Sequence, residues 1–169
     1  MRLLALFALA TFAALALQTI LPLWFPIRGL MPHLVLILSV DLGLRHPSAS
    51  AALMAFAMGY ATDALSGSQV GLNAFTVTLV FLVSYELAGR LLATSDLVGA
   101  ITVFAGTLIN ALGAFMLASN PMSWSQIEGA AGQRMLLQAL ITASLAPPVF
   151  WLLRSGKSAL GLPLRIARE

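Results

Sequence analysis

Long apolar runs, separated by short polar or proline-marked breaks, set the layout of this chain. A helix rises about 1.5 Å per residue, so about 20 mostly apolar residues are needed to cross the roughly 30 Å hydrocarbon core of a bilayer. Six runs approach that length and predict helices over about 3–21, 30–44, 48–65, 71–91, 97–118 and 133–153. The second and third are short, and a re-entrant pair is the alternative to two full spans there. Pro22, Pro26 and Pro32 punctuate the first link, and Arg45-His46-Pro47 makes the second. The longest link, residues 119–132, is too small for a domain, so 1–169 is read as a single membrane domain. Pro147-Pro148 predict a bend in the sixth helix.

Composition supports this pattern. Of 169 residues, 60% are hydrophobic and only 9% charged, against about 25% charged in soluble chains. The absence of cysteine excludes disulfides, thiol catalysis and cysteine metal sites. The pI near 10.2 rests on nine Lys and Arg with no basic domain to carry them, so nucleic acid is not the partner. The basic residues report orientation instead. With the N-terminus inside, Arg2, Arg45, Arg90, Arg154, Lys157, Arg165 and Arg168 fall on the cytoplasmic side and Arg28 and Arg134 outside. Trp24 and Trp124 then sit in outer links and Trp151 at the inner end of the sixth helix, as interfacial belts require. Ala14-Leu15-Ala16 looks like a signal-peptide cleavage site. The single preceding charge and the apolar stretch beyond it favour a first span. The basic tail from Arg154 reads as an orientation signal, with a resting place on anionic headgroups as the alternative.

Ionisable and amide groups inside apolar runs carry the rest of the information. Ala51, Ala55, Gly59 and Asp63 recur every fourth residue and share one helical face, a small-residue stripe that admits a neighbouring backbone. Asp63 ends that stripe at a helix C-terminus, where the macrodipole disfavours it. The free N–H groups of the next helix, across Ser66-Gly67-Ser68-Gln69, would favour it, with Asn73 in reach. Capping of the fourth helix is therefore expected, ahead of ligand binding or proton transfer. Asp41 with Arg45, and Glu86 with Arg90, have the spacing of ion pairs that snorkel at an interface. Gly99, Gly106, Asn110 and Gly113 form a second close-packing face, and Arg134, Gln138 and Thr142 a polar stripe. His33 and His46 fall on opposite sides of the membrane and cannot share a metal. No nucleophile–base pair or phosphate loop is present, so an enzyme is not expected.

Residues 45–90 resemble the bacterial rod shape-determining MreD family. The shared pattern is a proline turn at Pro47, then Gly59, Asp63, Leu65-Ser66-Gly67 and Gly71. Pro32 before the second helix, and a proline-bearing last helix ending in Arg154, extend the likeness. His33 departs from the Asp or Asn that often follows that proline in the family. The resemblance implies a six-helix bundle similar to the substrate-binding subunits of energy-coupling-factor transporters. It also implies a multi-pass inner-membrane protein without cofactors, serving lateral peptidoglycan synthesis. The implied partners are an MreC-like single-span protein, a RodA-type glycosyltransferase, a penicillin-binding transpeptidase and the MreB filament. Gly59, Asp63, Ser66, Gly67, Gly71, Asn73 and Asn110 are the candidate partner or structural residues.

Three function classes follow: a membrane scaffold, a vitamin-type binding subunit, and a small proton-coupled transporter using Asp63. The last lacks a second midplane acid and a broken-helix pair. The charge bias predicts both termini in the cytoplasm. In this cysteine-free chain, Ser68→Cys in intact cells should react with an impermeant thiol reagent and Ser155→Cys should not; the reverse labelling would refute the topology.

Overall fold

The computed structural model describes residues 2–24, 31–66, 71–90, 96–117, 132–159 and 161. The expectations for Gly67, Ser68, Gln69, Trp124 and the tail beyond 161 lie outside these residues, as do those for the side chains of Ser66 and Arg90. Six helices account for nearly all of what is described: α1 (Arg2–Trp24), α2 (Leu34–Arg45), α3 (Ala49–Ser66), α4 (Leu72–Arg90), α5 (Asp96–Leu117) and α6 (Gly132–Ala159).

Local chemistry sets several boundaries. α2 begins four residues later than the apolar run suggests, because the residue before a proline is steered away from helical geometry and Pro32 has no N–H to give. His33 takes the N-cap position, its carbonyl accepting from the Leu36 and Ile37 N–H groups at 3.2 and 3.3 Å. Ser48 caps α3, its Oγ accepting from the Ala51 N–H at 3.2 Å. Gly71 precedes α4 with φ of 102°, a left-handed conformation that side chains resist. α6 carries Pro147 and Pro148 within it and continues six residues past Leu153, to Ala159.

α2 is the organising element. All twelve of its residues are buried, and at about 18 Å it is too short to cross a bilayer alone. The other helices pack around it. Their outer surface is apolar: Phe12 is 73% exposed and Leu53 72%, while Asp41 and Lys157 are 0% exposed. That inversion of the soluble pattern suits lipid as the surrounding solvent. Segments 72–89, 96–114 and 132–159 are long and apolar enough to cross a membrane, and 5–20 is a shorter apolar helix. Hydroxyls within the helices are kept from lipid by bonding back to carbonyls one turn earlier, as Thr11 does to Phe7 and Thr107 to Val103.

Both small-residue faces close inside the chain. A Cβ at Gly59 would lie 2.6 Å from the Asn73 carbonyl oxygen of α4, and one at Gly106 2.6 Å from Val80. Gly99 lies against the Phe150 ring of α6. At the other extreme, a Cβ at Gly156 would meet only Leu6, at an ordinary 3.7 Å. Gly59→Ala should therefore lower stability by about 1–3 kcal/mol through overpacking against backbone, whereas Gly156→Ala should be neutral or slightly stabilising. Thermal unfolding in detergent measures both, and equal melting temperatures for the two variants would contradict the packing.

Candidate functional site

Polar side chains gather at the two ends of the bundle. At the α3–α4 end the organiser is Asp63, buried at 1% exposure. Its Oδ2 accepts from the Gly71 and Ala74 N–H groups at 2.9 and 3.0 Å. Its Oδ1 accepts from the Asn73 N–H at 3.0 Å and from the Asn73 side-chain amide at 2.9 Å. These are the N–H groups that a helix start leaves without partners. Asn73 in turn accepts from Asn110 Nδ2 at 2.8 Å, which brings in α5. Three of the candidate residues thus form one chain of hydrogen bonds, Asp63–Asn73–Asn110. Gly59 and Gly71 serve it sterically, one by letting α4 approach and the other by turning the backbone into α4.

Next to this chain, the stripe on α6 holds the start of α2. Gln138 Nε2 donates to the Met31 carbonyl at 2.9 Å and lies 2.9 Å from His33 Nε2. The amide nitrogen must face the carbonyl, so it donates to the ring as well, and the His33 proton resides on Nδ1. Thr142 Oγ1 accepts from the His33 N–H at 3.3 Å, and Gln18 of α1 donates to the Pro32 carbonyl at 2.7 Å. Burial lowers the His33 pKa and keeps the ring neutral. Gln18, His33, Asn73, Asn110 and Gln138 line an open cavity of about 440 Å³ between α1, α3, α4, α5 and α6.

At the other end, Asp41 of α2 is fully buried rather than snorkelling. It pairs with Arg45 Nε at 3.0 Å and with Lys157 Nζ of α6 at 2.5 Å. Arg45 also reaches Asp96 of α5 at 3.0 Å, and Arg154 pairs with the same carboxylate. Lys157 sits 5.1 Å from the Phe7 ring centroid of α1, and Arg45 5.6 Å from that of Phe150. The cluster joins α1, α2, α5 and α6. His46 lies fully buried beside it, with no hydrogen bond from a described residue to either ring nitrogen. Burial first, and the Lys157 charge second, push its pKa down to about 4, so it is neutral at ordinary pH.

Sequence reasoning paired Asp41 with Arg45 but missed Arg154 and Lys157, because it ended the sixth helix at Leu153. Once α6 continues, Arg154 and Lys157 are three apart on one face, which is the signal that could have found them. Of the other pair, Glu86 lies exposed on α4. Among the described residues no group of three or more His, Asp or Glu is placed to hold a metal.

An apolar exterior, interior carboxylates tied to neighbouring helices, and several helices long enough to span define a multi-pass helical membrane protein. The chain belongs to a known family of such proteins: the model of rod shape-determining protein MreD matches residues 1–156. Membership makes it a non-catalytic protein of rod shape determination and implies association with the elongation machinery. No curated protein and no solved structure matched the chain.

Asp63→Leu would leave three backbone N–H groups and an amide buried without partners, at about 1–3 kcal/mol each. It should prevent accumulation of folded protein. Asp63→Asn retains one acceptor oxygen but turns an amide NH₂ toward two donors, and should cost about 2–4 kcal/mol. Thermal unfolding in detergent ranks the variants, and an unchanged melting temperature for Asp63→Leu would refute the structural role.

Proposed function

We propose that this protein is a non-catalytic scaffold of the bacterial inner membrane. It binds the membrane helix of an MreC-like single-span protein and helps organise lateral peptidoglycan synthesis. Through that partner it positions a RodA-type glycosyltransferase and a penicillin-binding transpeptidase, with the MreB filament engaged indirectly. Both termini are placed in the cytoplasm. The starts of α1 and the end of α6 lie together, with Phe7 beside Lys157, which is consistent with both ends on one side.

One observation carries this reading beyond family membership: the buried Asp63 and Asp41, and the partly exposed Asp96, are committed to ties between helices. Asp63 accepts four hydrogen bonds, and Asp41 and Asp96 face basic partners. A carboxylate that already holds two helices together is poorly suited to shuttling protons. The small-residue faces are occupied within the bundle, so a partner helix is left the outward apolar faces. There, lipid gives no hydrophobic drive and shape decides association.

A second reading, a vitamin-type binding subunit similar in fold to those of energy-coupling-factor transporters, is favoured by the 440 Å³ cavity and its polar lining. The two separate cleanly. Depletion should turn rod-shaped cells round, and a single-span partner should copurify from native membranes in mild detergent. Rods that persist after depletion, with a bound small molecule and no partner in the purified protein, would favour the second reading.

A further inference from the structure

The cavity beside Asn110 has a chemistry of its own. Four polar atoms on its lining have no hydrogen bond to a described residue: the side-chain carbonyl oxygens of Gln18, Asn110 and Gln138, and the Nδ1–H of His33. None of the four is sealed away from open space. Each is oriented by the other end of its side chain. The amide nitrogens are committed to the Pro32 carbonyl, Asn73 and the Met31 carbonyl, and His33 Nε2 to Gln138. The cavity therefore presents three fixed acceptors and one fixed donor.

That set selects a ligand by exclusion. A phosphate or carboxylate would face three carbonyl oxygens, and no Lys or Arg is among the described lining residues. A cation would find no available carboxylate, since Asp63 is buried and accepts four hydrogen bonds. Clustered hydroxyls meet the requirement, because each donates one hydrogen bond and accepts others.

A second cavity adjoins the first. It has a volume of about 580 Å³, is lined by α1, α2, α6 and the segment before α2, and shares Met31 and Pro32 with the polar one. Ala10, Ala13 and Ala14 hollow out the α1 wall, and the lining side chains are apolar throughout. Leu17 and Leu152 line it and are 50% and 65% exposed, so it opens to the surrounding lipid. An apolar trough leading from lipid to a polar, uncharged chamber has the two-part chemistry of an amphiphile.

We propose that the two cavities together bind a neutral glycolipid, with its hydroxyl-bearing headgroup between Gln18, His33, Asn110 and Gln138 and a hydrocarbon chain along Ala10, Ala13 and Ala14. This inference goes beyond the scaffold reading and does not depend on it. The test uses the full chain, purified in lauryldimethylamine oxide, which carries no sugar. Monoglucosyl diacylglycerol, phosphatidylglycerol and octyl glucoside are offered, and bound lipid is counted by native mass spectrometry. The glucolipid should be retained at least about tenfold over phosphatidylglycerol, the equivalent of one well-formed hydrogen bond or more. Ala13→Phe, which fills the trough, should cut glucolipid retention about tenfold. Gln18→Leu should weaken both sugars. Should Ala13→Phe fail to fold, Ala10→Phe makes the same test. Equal retention of phosphatidylglycerol and glucolipid, or no effect of filling the trough, overturns the proposal. So does a partner's peptide segment that occupies the polar cavity with no sugar lipid bound.

Discussion

Four donors on one carboxylate hold the α3–α4 half of the structure in place. A charge in a low-dielectric interior is tolerated only where hydrogen bonds replace its lost water. Asp63 meets that demand with the orphan N–H groups of α4, whose own lack of partners would be costly. Each problem solves the other. The solution fixes where α3 ends, where α4 begins and how closely the two approach, which in turn requires glycine at position 59. Asn73 passes the constraint to Asn110, so α5 is set by the same carboxylate.

The opposite end applies the same rule with full charges. Asp41 and Asp96 meet Arg45, Arg154 and Lys157, and aromatic rings of α1 and α6 cover two of the cations. Asp96 and Asn110 are both on α5, about 21 Å apart along it, so one helix spans both polar knots. Between them the buried polar groups include hydroxyls tied to backbone carbonyls, as in Ser39, Thr102 and Thr107. Because α2 begins only at Leu34, the space beyond its first turn is not filled by helix, and His33 and Gln138 line the cavity that results.

Much of the α3–α4 end was legible in the sequence. A carboxylate at the C-terminus of one helix, a short link and an Asn near the start of the next leave few other satisfactory arrangements, and apolar run length gave six helices. Of the Asp41 cluster only the Asp41–Arg45 pair was legible; the other pairs join residues far apart in sequence, and helix continuation past Leu153 depends on tertiary partners. Two small-residue stripes were visible, but not that both would be used within the chain; that depends on which helices become neighbours. His33, a departure from the family's habit, makes sense only beside Gln138, more than a hundred residues away.

The Asp41–Lys157 pair also has a bearing on biogenesis. The two residues are separated by 116 positions, and membrane helices emerge from the ribosome in order. When α2 is made, its short, acid-bearing segment has Arg45 as a local partner but lacks the ammonium that meets the other carboxylate oxygen. That arrives with the last turns of the last helix. The innermost helix is thus the second to be synthesised and among the last to be satisfied. A chain truncated before Lys157 leaves one oxygen of a buried carboxylate without the ammonium that meets it in the finished protein.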